Sequence, residues 1–183
     1  YIEYAQATKD KKSPVSYSIE NGTLTLKEAG NTGASYYINV DISFLQAALS
    51  SKNIEDYTKE SSKYENYVTL YLPKDKLVSS AKIYLGYGDF YVKNATFDTT
   101  NIKLDDGDFD ANTLTANSGK LTFSYGDCDL QKASLGNISL TSKDGDLTVN
   151  ELTLSGKTKI ALSYGDAEIT LNDSTKKVSG FDL

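Results

Sequence analysis

A Gly-Asp dipeptide recurs at a nearly fixed spacing through the second half of this chain. Its glycine falls at Gly88, Gly107, Gly126, Gly145 and Gly165, so the step is constant except for one added position in the last. Around each glycine the apolar residues come mostly in pairs two positions apart, as with Leu121 and Phe123 before Gly126 and Cys128 and Leu130 after it. Alternate residues of a strand share one face, so each pair predicts a short strand with one buried side.

The repeat points to one architecture. In the first four copies a further apolar pair follows the glycine, as Ala133 and Leu135 do after Gly126, which predicts three short strands and three corners per repeat. Repeats of one period bury their apolar pairs only by stacking on one another. The sequence therefore predicts an all-β fold, a single-chain β-solenoid or parallel β-helix with coils of about 19 residues, spaced about 4.8 Å apart. The hand preference of parallel crossovers favours right-handed coiling.

At 183 residues the chain is expected to form a single domain, 1–183. Residues 1–67 are predicted to form irregular N-terminal coils or a cap, with an insertion at 43–62 that holds a short helix or a loop. Residues 68–183 are predicted to form regular coils and a C-terminal cap, with a shortened last coil around Val178 to Phe181. The stretch YSIENGTLTL, Tyr17 to Leu26, is interpreted as one more copy of the coil frame. Capped ends are expected because an open solenoid would add strands from its neighbours.

The Gly-Asp pair has a structural explanation. Glycine reaches the backbone angles of a tight corner at low cost, and the aspartate can accept hydrogen bonds from nearby backbone amides. Stacking would place five aspartates in a column with steps of about 4.8 Å, where like charges repel by roughly 1 kcal/mol per pair even in water. The residue before each glycine alternates between tyrosine and aspartate, in the order Tyr87, Asp106, Tyr125, Asp144 and Tyr164.

Two binding hypotheses follow from these columns. Calcium takes six to eight oxygen ligands, and the candidate ligands are Asp106, Asp108, Asp127, Asp144 and Asp146. Turn closure by the backbone is favoured over calcium, because no loop has the dense ligand spacing of a dedicated site. The second candidate is a surface row of Tyr87, Tyr125 and Tyr164, about 9.6 Å apart, which could stack on sugars or on a partner protein. Packing of these rings at the corner, with each hydroxyl bonded nearby, is favoured over that row.

Composition argues against several classes of function. Histidine is absent, so the usual group for proton transfer near neutral pH is missing, and Cys128 lies in an apolar column. We therefore expect no enzyme and no cofactor, with calcium as the one alternative. A polysaccharide-active β-helix enzyme is the least favoured possibility, because such uniform repeats form no cleft. A net charge of −6 without a basic block argues against nucleic acid as a partner.

The chain is also not expected to span a membrane, because it has no apolar run of about 18 residues. It starts at Tyr1 and contains no methionine. We therefore expect a fragment of a longer protein that carries a signal or membrane anchor at its N-terminus.

The stretch VTLYLPKDKL, Val68 to Leu77, followed by GYGDFYV and the later Gly-Asp turns, resembles a known bacterial family. It is similar to the adhesin-like domains of unknown function found in envelope-associated proteins, over roughly residues 15–183. The resemblance implies a β-helical fold, an extracellular position at the cell surface, commonly of Gram-positive bacteria, and no catalytic residues. The expected function is a non-enzymatic binding, adhesin or scaffold module with an unknown protein or glycan partner at the envelope. The alternative is a calcium- or glycan-binding module that uses the aspartate or tyrosine column.

Overall fold

The computed structural model describes residues 2–5, 15–28, 36–41, 56–58, 67–70 and 76–173. Within those ranges there is no α-helix, and the chain forms thirteen strands. In chain order these are β1 (Ile2–Ala5), β2 (Val15–Glu20), β3 (Thr23–Glu28), β4 (Tyr36–Asp41), β5 (Asp56–Thr58), β6 (Tyr67–Leu70), β7 (Leu77–Leu85), β8 (Phe90–Leu104), β9 (Phe109–Phe123), β10 (Cys128–Asp144), β11 (Leu147–Leu154), β12 (Lys159–Tyr164) and β13 (Ala167–Leu171).

Strands β7 to β13 pair in parallel, with the same offset at every step except the last, which confirms the predicted solenoid. Ile83 of β7 lies beside Ile102 of β8, which lies beside Leu121 of β9, which lies beside Leu140 of β10. Each of these steps equals the regular spacing of the corner glycines. The last step, from Leu140 to Ile160 of β12, is longer by a single position because the chain adds one residue before β12. The side chains of equivalent repeats therefore stack in columns along about five turns.

Each complete coil is one bent strand rather than three separate short ones. A straight strand as long as β8 would reach roughly 50 Å. Yet Phe90, at the start of β8, lies beside Phe109, which begins the next strand, so β8 must bend back on itself. The pairing of β9 with β10 skips two positions, Asn112 beside Gln131 and Asn117 beside Gly136, and alternate burial breaks at the same places. These two bends and the Gly-Asp turn are the three predicted corners. The pairing resumes in the same register after each bend because every coil turns in the same way as its neighbour.

The core is an apolar interior built from the predicted columns. Fully buried members include Ile102, Leu121 and Leu140 in one column and Phe109 and Cys128 in another. The ring of Phe109 stacks on Phe90, with centroids 5.6 Å apart, and on Phe123, at 5.1 Å. One column is interrupted by the buried Ser142, whose hydroxyl has no hydrogen-bond partner in the part of the chain that the structure describes.

The N-terminal part continues the sheet with antiparallel strands. β2 and β3 form a hairpin, β3 pairs with β4, and β4 pairs with β7. The interpretation of Tyr17 to Leu26 as another coil is therefore wrong. Asn21 and Gly22 have φ values of +50° and +77°, and two successive positive φ angles make the two-residue turn that reverses a strand.

A separate sheet of three strands has the order β5-β1-β6. The predicted helix or loop at 43–62 lies outside the described residues except for β5. The shortened coil predicted around Val178 to Phe181 also lies outside them. The single-domain boundaries stay a prediction.

Candidate functional site

The Gly-Asp corners stack into one edge of the solenoid. Two columns of side chains flank the glycines and define what we call the Tyr–Asp edge. The column before the glycines holds Tyr87, Asp106, Tyr125, Asp144 and Tyr164, and the column after them holds Asp89, Asp108, Asp127, Asp146 and Asp166. All ten side chains are exposed. The edge therefore presents seven carboxylates and three aromatic rings in a regular array.

Glycine is required at this edge for two reasons. All five corner glycines have φ between +102° and +131°, a region that L side chains rarely adopt. In addition, a Cβ on Gly126 would collide with the carbonyl oxygen of Gly107 in the preceding coil, and the next two coils repeat this contact. By contrast, a Cβ on Gly88 would meet no atom within 4 Å. The close approach of stacked corners thus adds a steric requirement to the conformational one.

The aspartate that follows each glycine ties one coil to the next. The backbone amide of Asp108 donates to Oδ1 of Asp89 at 3.0 Å, and that of Asp127 donates to Oδ1 of Asp108 at 2.9 Å. The same bond joins Asp146 to Asp127 at 2.9 Å and Asp166 to Asp146 at 2.8 Å. The prediction that the aspartates accept backbone amide bonds is confirmed, but the amide belongs to the next coil and not to the same turn.

Backbone bonds run alongside this aspartate ladder in the opposite direction. The amide of Gly107 donates to the carbonyl oxygen of Tyr125 at 3.1 Å, and that of Phe109 donates to the carbonyl oxygen of Asp127 at 2.9 Å. A hydrogen bond to a charged group is worth about 1.5–3 kcal/mol, whereas neighbouring exposed charges repel by roughly 1 kcal/mol. The ladder can therefore hold five like charges in one column.

The three tyrosines of the edge project into solvent. Their exposed fractions are 75% for Tyr87, 61% for Tyr125 and 74% for Tyr164. In the part of the chain that the structure describes, none of the three hydroxyls has a hydrogen-bond partner. The expected packing of these rings against the corner is therefore wrong. Sequence parity could not decide this, because the alternation of faces is lost where a strand turns a corner.

The positions of the five candidate calcium ligands do not form a closed binding site. Asp106 and Asp144 lie in one column but two coils apart, about 9.6 Å, which is too far for both to ligate one ion. Asp108, Asp127 and Asp146 lie in the other column, and Oδ1 of each already accepts a backbone amide. Among the described residues there is no group of three or more acidic, histidine or cysteine side chains placed to hold a metal ion. The array is thus an extended charged row rather than a closed cage.

A second pair of acids lies beside the aspartate column. Asp110 of β9 is in register with Asp129 of β10, on the outward side of the strands. Burial raises the pKa of Asp110, and the nearby charges of Asp129, Asp108 and Asp89 raise it further. The chain therefore keeps a carboxylate at a position where its charged form is unfavourable.

Sequence reasoning missed one polar cluster at this edge. The Tyr84 hydroxyl donates to Oδ2 of Asp105 at 2.9 Å, and Nζ of Lys103 lies 2.7 Å from Oδ1 of Asp105. The same Nζ lies 5.1 Å from the centroid of the Tyr84 ring. The bond from Lys103, followed by that from Tyr84, lowers the pKa of Asp105. Tyr84 and Lys103 are separated by one repeat of the sequence, and that spacing was the signal that could have found this cluster.

The family model described as Toastrack DUF4097 matches residues 1–180. No curated protein and no solved structure matches the chain. No helix in the described ranges has the length and apolar character needed to cross a bilayer.

Proposed function

The chain belongs to the Toastrack DUF4097 family, and from that premise we propose that it is a non-enzymatic binding or scaffold module of the bacterial cell envelope. The observation that supports this most is the Tyr–Asp edge, where three tyrosine rings stand in solvent on a rigid frame. Exposed aromatic rings are enriched where proteins contact their partners. The envelope location, outside the cytoplasm, rests on the resemblance to envelope-associated adhesin-like domains.

The rigidity of the edge supports a role in binding. Every corner is tied to the next by an aspartate–amide bond and by two backbone bonds. The side chains of the edge are therefore held at a fixed spacing before any partner arrives. Binding then loses little backbone entropy, which is the main advantage of a preorganised surface.

A non-enzymatic role is supported by the chemistry of the available groups. The chain has no histidine. Cys128 is fully buried, and burial raises the pKa of its thiol far above the usual range, so the reactive thiolate does not form near neutral pH. The carboxylates of the Tyr–Asp edge form an exposed row, without the enclosed site that tunes an acid and a base for catalysis. We expect no hydrolysis of bacterial polysaccharides in an assay of reducing-end release.

A sedimentation experiment tests the proposed function. The purified chain is mixed with isolated envelopes of a Gram-positive bacterium, and the pelleted fraction is measured for the wild type and for the triple variant Tyr87→Ala, Tyr125→Ala and Tyr164→Ala. The control variant is Tyr17→Ala, which removes an exposed tyrosine from the hairpin. We expect the wild type and the control to sediment and the triple variant to stay in solution. Failure of the wild type to sediment, or equal sedimentation of the triple variant, would contradict the proposal.

A glycan-binding module is the second candidate, and the exposed rings of Tyr87, Tyr125 and Tyr164 favour it because aromatic faces stack on sugars. Titration with soluble cell-wall polysaccharide would detect it through a change in tyrosine fluorescence. Calcium binding through Asp106, Asp108, Asp127, Asp144 and Asp146 is tested by thermal unfolding, since a specific ligand raises the midpoint as its concentration exceeds the Kd. We expect millimolar calcium to act no more strongly than magnesium, because the row offers no closed site.

A further inference from the structure

The tyrosine rings of the Tyr–Asp edge are regularly spaced, and a partner that contacts all three must have groups at the same spacing. Tyrosine and aspartate alternate along the column before the glycines, so each tyrosine ring is two coils from the next, about 9.6 Å. The three rings span four coil steps, about 19 Å. An elongated ligand that contacts all three rings and the carboxylates between them would have to repeat an apolar group and a cation about every 9.6 Å.

Among regular peptide conformations, polyproline II fits this spacing best. It has three residues per turn and a rise of about 3.1 Å, so every third residue returns to one side after about 9.3 Å. A β-strand returns to one side every second residue, at about 6.6 Å, and misses the second ring. An α-helix returns after seven residues, at about 10.5 Å, and drifts by almost 2 Å over three rings. The polyproline II repeat drifts by roughly 0.6 Å over the same distance.

The chemistry of the edge agrees with that conformation. A polyproline II segment has no internal hydrogen bonds, so its carbonyl groups need donors. The hydroxyls of Tyr87, Tyr125 and Tyr164 are exposed donors, and they have no partner in the described ranges. Proline rings also pack on aromatic side chains in known recognition of such segments.

The negative charge of the edge favours a cationic residue in each three-residue repeat of such a ligand. Asp106 and Asp144 lie between the tyrosines, and the five aspartates of the second column run beside them. Lys143 is exposed next to Asp144 and reduces the negative charge locally, but carboxylates dominate the edge as a whole. A lysine at every third position of the ligand would meet a carboxylate between successive rings, and its ammonium group could also lie over a tyrosine face.

We propose that the Tyr–Asp edge binds an extended, lysine-containing polyproline II segment of another protein. This proposal rests on the proposed function and names the class of partner. A peptide of seven residues is long enough to cover all three rings, since six steps of about 3.1 Å span about 19 Å. Asp110 and Asp129 add two further acidic side chains beside the edge.

The test uses the complete chain and synthetic peptides. The probe is (Pro-Pro-Lys)₄, and the controls are a scrambled peptide of the same composition, (Gly-Ser-Lys)₄ with the same charge but a flexible backbone, and (Pro-Pro-Glu)₄. Calorimetric titration at low and at physiological salt gives each affinity. We expect the regular lysine peptide to bind at least tenfold more tightly than the scrambled and flexible peptides, and the acidic peptide not to bind. Salt should weaken the binding because the charges are exposed.

Variants assign the contact to the edge. The triple variant Tyr87→Ala, Tyr125→Ala and Tyr164→Ala should weaken binding of the probe at least tenfold. Asp106→Asn with Asp144→Asn should weaken it severalfold and reduce its salt dependence. Tyr17→Ala and Glu20→Gln change exposed residues of the hairpin and should leave the affinity unchanged. Thermal unfolding of each variant checks that the fold is intact.

Several results would overturn the proposal. Equal binding of the regular and scrambled peptides would show attraction by charge alone, and binding of wall polysaccharide in place of the peptide would assign the edge to glycans. Absence of peptide binding would also overturn it. If the chain still sediments with envelopes through the three tyrosines, the proposed function stands and only the class of partner is wrong. If neither assay depends on the tyrosines, both proposals fail.

Discussion

Replacement of Gly126 by alanine tests both reasons for glycine at a stacked corner, the positive φ angle and the close approach of the preceding coil. The added Cβ would strain a residue whose φ is +111° and would collide with the carbonyl oxygen of Gly107. It would also lie 2.9 Å from Oδ1 of Asp108, the atom that accepts the amide of Asp127. The substitution therefore disturbs the backbone angle, the coil stacking and one bond of the aspartate ladder together.

The size of the effect follows from these contributions. A residue held at an unfavourable φ costs about 1–3 kcal/mol, and loss of a hydrogen bond to a charged acceptor costs about 1.5–3 kcal/mol. Together they predict a loss of about 2.5–6 kcal/mol in the free energy of unfolding. For a chain of this size each kcal/mol lowers the midpoint of thermal unfolding by about 2–4 °C, so a decrease of more than about 5 °C is expected.

Gly88→Ala is the matched control for this experiment. Its φ of +102° is similar, but its Cβ would meet no atom within 4 Å. Only the strain of about 1–3 kcal/mol remains. Urea unfolding of the two variants should therefore show a clearly larger loss for Gly126→Ala. Equal losses, or a loss below about 1 kcal/mol for Gly126→Ala, would refute the reasoning that stacked corners require glycine on steric grounds.

Three further predictions concern single side chains. Asp110→Asn should raise the free energy of unfolding near neutral pH. The pKa of Asp110 in the folded chain is raised above its ordinary value of 3.8, so the wild type loses stability as pH rises from that value through the folded-state pKa. Urea unfolding at pH 4 and pH 7 should therefore show a smaller pH dependence of stability for the variant. Asp127→Ala should destabilise by about 1 kcal/mol or more because it removes the acceptor for the amide of Asp146, whereas Asp127→Asn keeps an acceptor oxygen and should cost less; equal costs would argue against the ladder. Ser142→Ala should stabilise by about 1 kcal/mol, measured by thermal unfolding, because a buried hydroxyl without a partner in the described ranges is removed from an apolar column, and a loss of stability would contradict that assignment.

The regular part of the fold could be predicted from the sequence because one rule governs it. Positions one repeat apart share an environment, so Ile102, Leu121 and Leu140 indicate a column without further information. The hairpin of β2 and β3 differs from the prediction because its alternating apolar residues around Gly22 have the same spacing as those of a coil. The Asn21-Gly22 pair was the better signal, since this dipeptide between alternating apolar residues favours a two-residue hairpin turn.

The candidate site was only partly predictable. The sequence identifies its residues, because Tyr125 and Asp127 flank a repeated glycine. It does not predict in which direction their side chains point. The aspartate bonds cross between coils because the corner geometry brings the amide of Asp127 to Asp108, and sequence spacing does not specify that geometry. The exposure of the tyrosines depends on the same corner.

Disulfide trapping tests the central claim, that residues one repeat apart stack in register, most directly. Thr122 and Thr141 are partners in adjacent coils, and the spacing of about 4.8 Å between strands lies within the Cα separation that a disulfide spans. The double variant Thr122→Cys and Thr141→Cys should therefore oxidise readily to an intramolecular bond, detected by mass spectrometry. Thr122→Cys with Ala161→Cys places the thiols two coils apart, about 9.6 Å, and should not. Equal oxidation of both pairs, or a bond in the second pair only, would contradict the stacked solenoid.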